Sequence, residues 1–117
     1  MASEGIRGLY IETHNWGKSV AFWKALGYEL EFETDHHSGS LRHPAAGLWI
    51  FLAERPLGHA LKLYPVVIVD DAATFEAPAA GQVERPFVAQ HWDVMEELLR
   101  DPDGRLVSVQ APLPKDA

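Results

Sequence analysis

Alternating aromatic and polar side chains on the strand predicted at residues 6–14 are the first candidates for chemistry. In an extended strand, successive side chains point to opposite faces, so Tyr10, Glu12 and His14 share one face and Leu9 and Ile11 pack on the other. The tyrosine ring offers a surface for stacking, and the carboxylate attracts a cation. Glu12 and His14 together form a candidate acid–base pair, with a structural hydrogen-bonding role as the alternative.

Two further strands and a loop complete the set of candidate ligand contacts. In the strand predicted at 47–54, Trp49 and Phe51 alternate with a row of aliphatic residues. Tyr64 opens the strand predicted at 63–69, and His91-Trp92 precedes another at 93–100. Flat aromatic rings suit stacking against planar ligands. The sequence therefore predicts a ligand site, with no catalytic residue assigned, lined by Tyr10, Glu12, Trp49, Phe51, Tyr64, His91 and Trp92.

A helix predicted at residues 16–26 must position the first of these strands. Asn15 is a favourable N-cap, Val20 and Trp23 recur at helical spacing, and Gly27 stands where a C′ glycine ends a helix. A strand is predicted on each side, at 6–14 and 28–35. This stretch therefore reads as a strand–helix–strand unit that opens the chain.

The order of predicted elements along the chain is a βαβββ pattern followed by a shortened version of itself. The first module spans about residues 5–55 and the second about 61–112, within a single domain covering 1–117. In the second module a helix of barely two turns is predicted at 71–77, because Pro78 cannot continue a helix interior. Such a short helix leaves one face of the sheet thinly covered, which favours burial against a second subunit.

Composition excludes several classes of function. The chain of 117 residues has a net charge of −7, and residues 70–103 hold nine carboxylates against two arginines. Lysine and arginine are scattered, so no surface for nucleic acid is predicted, and the absence of cysteine excludes thiolate chemistry. No apolar run is long enough to span a membrane and no signal-peptide pattern is present, so a cytoplasmic protein is expected.

Three short motifs, in this order and spacing, resemble the vicinal oxygen chelate superfamily of glyoxalases, extradiol dioxygenases and bleomycin-resistance proteins. They are Ser19-Val-Ala-Phe-Trp-Lys-Ala-Leu-Gly27, Val69-Asp70-Asp71 and Asp101-Pro-Asp-Gly104. The resemblance implies an α+β fold in which two βαβββ-like modules form an open curved sheet around a cleft. In metal-using members, four strands each place a His, Gln or Glu ligand on the concave face. The matching positions here are Gly8, the row Trp49–Phe51, Tyr64 and Ser108, and none is a good donor to a divalent cation.

The predicted function is therefore metal-independent binding, by sequestration, of a small aromatic or cationic molecule, as in the bleomycin-resistance branch. No metal and no cofactor are predicted, and the resemblance implies a homodimer and a role in antibiotic resistance. The alternative is a metal-dependent lyase, isomerase or dioxygenase whose ligands have moved to Glu12, His14 or His91. A third hypothesis is a partner-binding scaffold with no small ligand.

Overall fold

Eight strands and one helix are present in the computed structural model, which describes residues 2–114. In chain order the elements are β1 Ile6–Thr13, α1 Trp16–Ala25, β2 Glu29–Glu33, β3 Ser38–Arg42, β4 Trp49–Glu54, β5 Leu63–Ile68, β6 Gln82–Ala89, β7 Val94–Arg100 and β8 Leu106–Pro112. The α+β class and the repetition of one strand pattern are confirmed. The chain divides into an N-terminal unit, Gly8–Leu63, and a C-terminal unit that comprises the residues up to Arg7 and those from Tyr64 onward.

Helix α1 begins at the predicted residue, Trp16, and ends at Ala25, one residue before the predicted end. The Asn15 side chain accepts a hydrogen bond from the Lys18 backbone N–H at 3.0 Å, which caps the first turn. At the other end Gly27 has φ +97°, and the N–H groups of Gly27 and Tyr28 donate to the carbonyls of Lys24 and Trp23. This paired arrangement is a Schellman cap, which glycine accommodates because a left-handed φ carries no Cβ penalty.

The N-terminal unit places its strands in the order β2-β3-β4-β1. β1 pairs in parallel with β4, while β3 is antiparallel to both β4 and β2. One face of these strands packs against α1 through the buried residues Trp16, Leu41, Ile50 and Leu52. The opposite face carries Gly8, Tyr10 and Glu12 of β1, as strand alternation predicts.

The C-terminal unit repeats this pattern with β5-β8-β7-β6. β5 is parallel to β8, and β7 is antiparallel to β8 and to β6. Its core contains Val69, Leu99, Val109 and Ala111. Two strand units with the same order of parallel and antiparallel pairs confirm the repeat predicted from the element order.

The predicted short helix at 71–77 is wrong. The structure has a turn at residues 72–74, in which the Phe75 N–H donates to the Asp71 carbonyl at 3.2 Å, and then chain without regular secondary structure to Pro78. The Asp71 carboxylate accepts from the Ala73 N–H at 3.0 Å and from the Thr74 hydroxyl at 3.3 Å, so it holds the chain in a turn. Proline at 78 leaves no room for a second turn of helix.

Candidate functional site

Four aromatic side chains lie on the face of the N-terminal unit opposite helix α1. Tyr10 and Phe51 are register partners on neighbouring strands, and their rings stack at 6.4 Å with 14° between planes. Phe32 adds a third ring, 6.2 Å from Phe51, and Trp49 lies two residues before Phe51 on the same strand. These residues, Tyr10, Phe32, Trp49 and Phe51, are called the aromatic shelf below.

Phe32 joins the shelf because of an irregularity in β2. The register between β2 and β3 shifts after Leu30, so that Phe32 is paired with Ser40. Ser40 is in turn the partner of Phe51 on β4, and its small side chain leaves room for both rings to meet above it. The phenyl ring remains 54% exposed. Alternation along β2 gave no reason to select Phe32, because a bulge changes which side chains face outward.

Glu12 is buried beside the shelf, accepts two hydrogen bonds and forms an ion pair with Arg55. Its Oε2 accepts from the Tyr10 hydroxyl at 2.8 Å and lies 3.4 Å from Arg55 Nε. Its Oε1 accepts from the Lys62 backbone N–H at 2.9 Å. A carboxylate with these partners is a structural anchor that fixes the Tyr10 ring and the Arg55 guanidinium.

The candidate acid–base pair of Glu12 and His14 is not formed within residues 2–114. His14 Nδ1 lies 3.3 Å from the Arg55 carbonyl oxygen, which favours the tautomer with a proton on Nδ1. Glu12 is hydrogen-bonded to Tyr10 and Lys62 and paired with Arg55, and not with His14. The structural alternative for this histidine is the one that the geometry favours.

The remaining predicted ligand residues, Tyr64, His91 and Trp92, belong to the C-terminal unit. Tyr64 is half-buried in β5, two residues before buried Val66. His91 and Trp92 lie at the tip of the β6–β7 hairpin, where their rings meet edge to face at 4.9 Å and Trp92 is 45% exposed. The next residue, Asp93, has φ +66°, so it takes the left-handed conformation for which glycine is the usual residue.

A buried polar network in the C-terminal unit was missed by sequence reasoning. Glu96 on β7 accepts from the Ser108 hydroxyl at 2.6 Å, from Gln110 Nε2 at 3.3 Å and from Arg85 Nη2 at 2.8 Å. Ser108 is fully buried and Glu96 is 6% exposed. Two adjacent glutamates in a strand must face opposite sides, so the pair Glu96-Glu97 was an available indication that one of them is buried.

Glu97 lies on the other face of β7, paired with Val109 of the core. It is 8% exposed, and its Oε1 has no hydrogen-bond partner within the described residues. Burial raises the pKa of Glu97 above its ordinary value. An unpaired carboxyl at this depth favours its neutral form.

The residues at the positions where the resemblance places metal ligands lack suitable donor atoms. Gly8 and Phe51 have no donor atom, and the Ser108 hydroxyl is bonded to Glu96. Across residues 2–114, no three His, Asp or Glu side chains come together in a group that could hold a metal ion.

Comparison with known proteins identifies the fold. The sequence matches no protein-family model and no curated protein sequence. Solved structures match it: a glyoxalase/bleomycin resistance protein/dioxygenase superfamily member from Vibrio splendidus has a TM-score of 0.67 at 18% identity, covering 88% of this chain and 95% of that one. Methylmalonyl-CoA epimerase from Mycobacterium tuberculosis gives 0.68 at 14% identity, covering 97% and 91% of the two chains.

A third match is the Mn(II)-bound glyoxalase from Novosphingobium aromaticivorans, with a TM-score of 0.67 and 18% identity. It covers 99% of this chain and 41% of that chain. The protein therefore has the fold of the glyoxalase/bleomycin resistance/dioxygenase superfamily, which confirms the resemblance at the level of the fold. Members of this fold include an epimerase and a metal-bound glyoxalase, so the fold leaves the activity open.

The single helix within residues 2–114, α1, is too short and too polar to cross a membrane.

Proposed function

We propose that this protein binds a small planar aromatic molecule on the aromatic shelf, without a metal ion, and sequesters it. The observation that carries the proposal is the Tyr10–Phe51 stack, extended by Phe32, on a sheet face that is not packed against the unit's own helix. Phe32 is 54% exposed and the other rings are half-buried, and a contiguous apolar patch of this kind often marks a binding site. A ligand ring on the shelf would bury apolar area that is otherwise open to water.

Stacking alone gives modest affinity. Burying 150–250 Å² of one aromatic ligand at about 25 cal/mol per Å² yields roughly 4–6 kcal/mol before the costs of association. This corresponds to dissociation constants from about millimolar to tens of micromolar. Tighter sequestration needs polar contacts in addition to the shelf.

The aromatic part of the predicted ligand is better supported than the cationic part. The cation was expected at Glu12, but that carboxylate is buried, accepts hydrogen bonds from Tyr10 and Lys62, and is paired with Arg55. In the cell, such sequestration would protect against an aromatic antibiotic. The protein would bind the antibiotic and release it chemically unchanged.

Assembly as a homodimer is part of the same proposal. In the C-terminal unit, the segment 71–77 covers the core face with one turn where the N-terminal unit has α1. A face covered by so little chain gains stability from a second subunit. Light scattering on a size-exclusion column measures this directly, and a single monomer peak at about 100 μM protein would contradict it.

The proposal is tested by titrating 2-naphthamide, a neutral planar probe, into the protein and its variants by ligand-observed NMR. Phe51→Ala is expected to weaken binding by about 1–3 kcal/mol, because it removes the centre of the stack. Phe22→Ala is the matched control, since Phe22 is a 58% exposed phenylalanine on α1, outside the shelf. Unchanged affinity in folded Phe51→Ala would contradict the site.

A thermal-shift series with divalent metal ions distinguishes the enzyme alternative. Protein stripped with a chelator is expected to be indifferent to each ion and stabilised by the aromatic probe. A ligand at 100 times its dissociation constant adds about 2.7 kcal/mol to the free energy of unfolding. Stabilisation by a single divalent ion, lost in Glu12→Ala or His14→Ala, would favour the metal-dependent enzyme instead.

A further inference from the structure

We infer that the ligand of the aromatic shelf carries an anionic carboxylate, which Arg55 binds at the edge of the shelf. The inference rests on the proposed function and adds the class of ligand. It depends on three facts of the N-terminal unit: Arg55 and the Tyr10 hydroxyl both contact Glu12 Oε2, the outer nitrogens of Arg55 have no hydrogen-bond partner within residues 2–114, and the Glu12 carboxylate already has partners.

Arg55 is held from its backbone and from its side chain. Its N–H donates to the Thr13 carbonyl at 2.8 Å, and its own carbonyl lies 3.3 Å from His14 Nδ1. The side chain is placed by Glu12, whose Oε2 lies 3.4 Å from Arg55 Nε and 2.8 Å from the Tyr10 hydroxyl oxygen. The Glu12 carboxylate therefore bridges the Arg55 guanidinium and the hydroxyl of Tyr10, which is a ring of the shelf.

The outer nitrogens of Arg55 are available to a ligand. The ion pair with Glu12 uses Nε, and the two Nη atoms have no hydrogen-bond partner within residues 2–114, while the side chain is 48% exposed. A guanidinium fixed through Nε presents two parallel N–H groups, the geometry that a carboxylate accepts in bidentate fashion. Because it is held before the ligand arrives, little conformational entropy is lost on binding.

The charge of the N-terminal unit does not exclude an anion. Glu12 accepts two hydrogen bonds and is paired with Arg55, so it has little capacity left for an ammonium group. The N-terminal unit has six carboxylates against five lysines and arginines, so the acidic excess of the chain lies almost wholly in the other unit. An aromatic carboxylate meets a positive donor at the shelf edge without a strong repulsive field from the unit that holds it.

Arg42 is the other arginine of the N-terminal unit, Gly8–Leu63, and is the less suitable anchor. It pairs through Nε with Glu31 at 3.1 Å, but its Nη1 already lies 3.4 Å from the Gly47 carbonyl. Glu31 is 40% exposed, whereas the side chain of Glu12 is 6% exposed. Arg42 thus has fewer open donors than Arg55, and this difference makes it the matched control.

The test compares three naphthalene probes of one shape: 2-naphthoate, 2-naphthamide and 2-(aminomethyl)naphthalene. We expect 2-naphthoate to bind about tenfold more tightly than the amide, as one charge-assisted contact provides. Arg55→Gln should abolish that preference while leaving the amide's affinity unchanged. Arg42→Gln should preserve it.

Each outcome separates this inference from the proposed function. Equal binding of naphthoate and amide, or tightest binding of the ammonium probe, would overturn the anionic ligand while leaving the aromatic site intact. Loss of the preference in Arg42→Gln instead of Arg55→Gln would overturn the assignment of the anchor. Failure of all three probes to bind would remove the proposed function itself.

Discussion

The Trp49 indole lies directly over Gly8, its partner on the neighbouring parallel strand. A Cβ built at residue 8 would approach Trp49 Cδ2 to 2.2 Å and Cε3 to 2.3 Å, well inside any real carbon–carbon contact. Glycine at position 8, which has no side chain, therefore leaves the space that the Trp49 ring occupies. It is also the position where the resemblance places a metal ligand, so the space for such a side chain is filled by an aromatic ring.

Gly8→Ala is expected to lower the free energy of unfolding by about 1–3 kcal/mol, the usual cost of forcing an atom into a packed site. The clash involves ring atoms of Trp49, so the indole must move. Chemical denaturation measures the loss of stability, and tryptophan emission reports the displaced ring. In the Trp49→Ala background the same substitution should cost much less, and an unchanged cost there would show that the indole is not the obstacle.

Strand alternation and helix capping predicted most of this fold. Asn15 and Gly27 lie at the two ends of α1, and Tyr10 and Phe51 share the expected face. The turn at 72–74 and the bulge beside Phe32 were not predicted, because each depends on a local hydrogen bond or register shift. Sequence spacing also could not show which carboxylates have hydrogen-bond partners. Glu12, for example, accepts from the backbone of Lys62, fifty residues further along the chain.

Glu12→Gln tests whether the buried carboxylate organises the shelf. An amide nitrogen would then face a donor, Tyr10, Lys62 or Arg55, so we expect a loss of about 2–3 kcal/mol in stability. Thermal or urea unfolding measures it. The control is Glu31→Gln, whose exposed pair with Arg42 should contribute less than about 1 kcal/mol. Equal effects of the two substitutions would contradict the assigned role of Glu12.

Ser108→Ala tests the polar network of the C-terminal unit. It removes the donor 2.6 Å from Glu96 Oε2 at a position with no exposure to solvent. The carboxylate keeps Arg85 and Gln110, so the expected loss is about 1–2 kcal/mol and not the full cost of an unpaired charge. Ser3→Ala, which removes only an exposed bond to the Gly5 N–H, should change stability by less than about 0.5 kcal/mol. If Ser108→Ala lowers the free energy of unfolding no more than Ser3→Ala does, the network does not stabilise the fold.

Glu97→Gln is expected to stabilise the protein in a pH-dependent way. Burial raises the pKa of Glu97 in the folded chain above its unfolded value, so the folded state holds this proton more tightly. Stability therefore falls as the pH rises from the unfolded pKa through the folded pKa, because the carboxyl must then ionise without a partner. Glutamine does not ionise and escapes that loss.

The Glu97→Gln variant should match the parent in stability at about pH 4 and exceed it by about 1 kcal/mol at pH 7.5 in urea denaturation. Glu76→Gln, at an exposed position of the segment 71–77, should show no such pH-dependent gain. A gain of the same size at both pH values would assign the effect to packing and contradict the titration of Glu97.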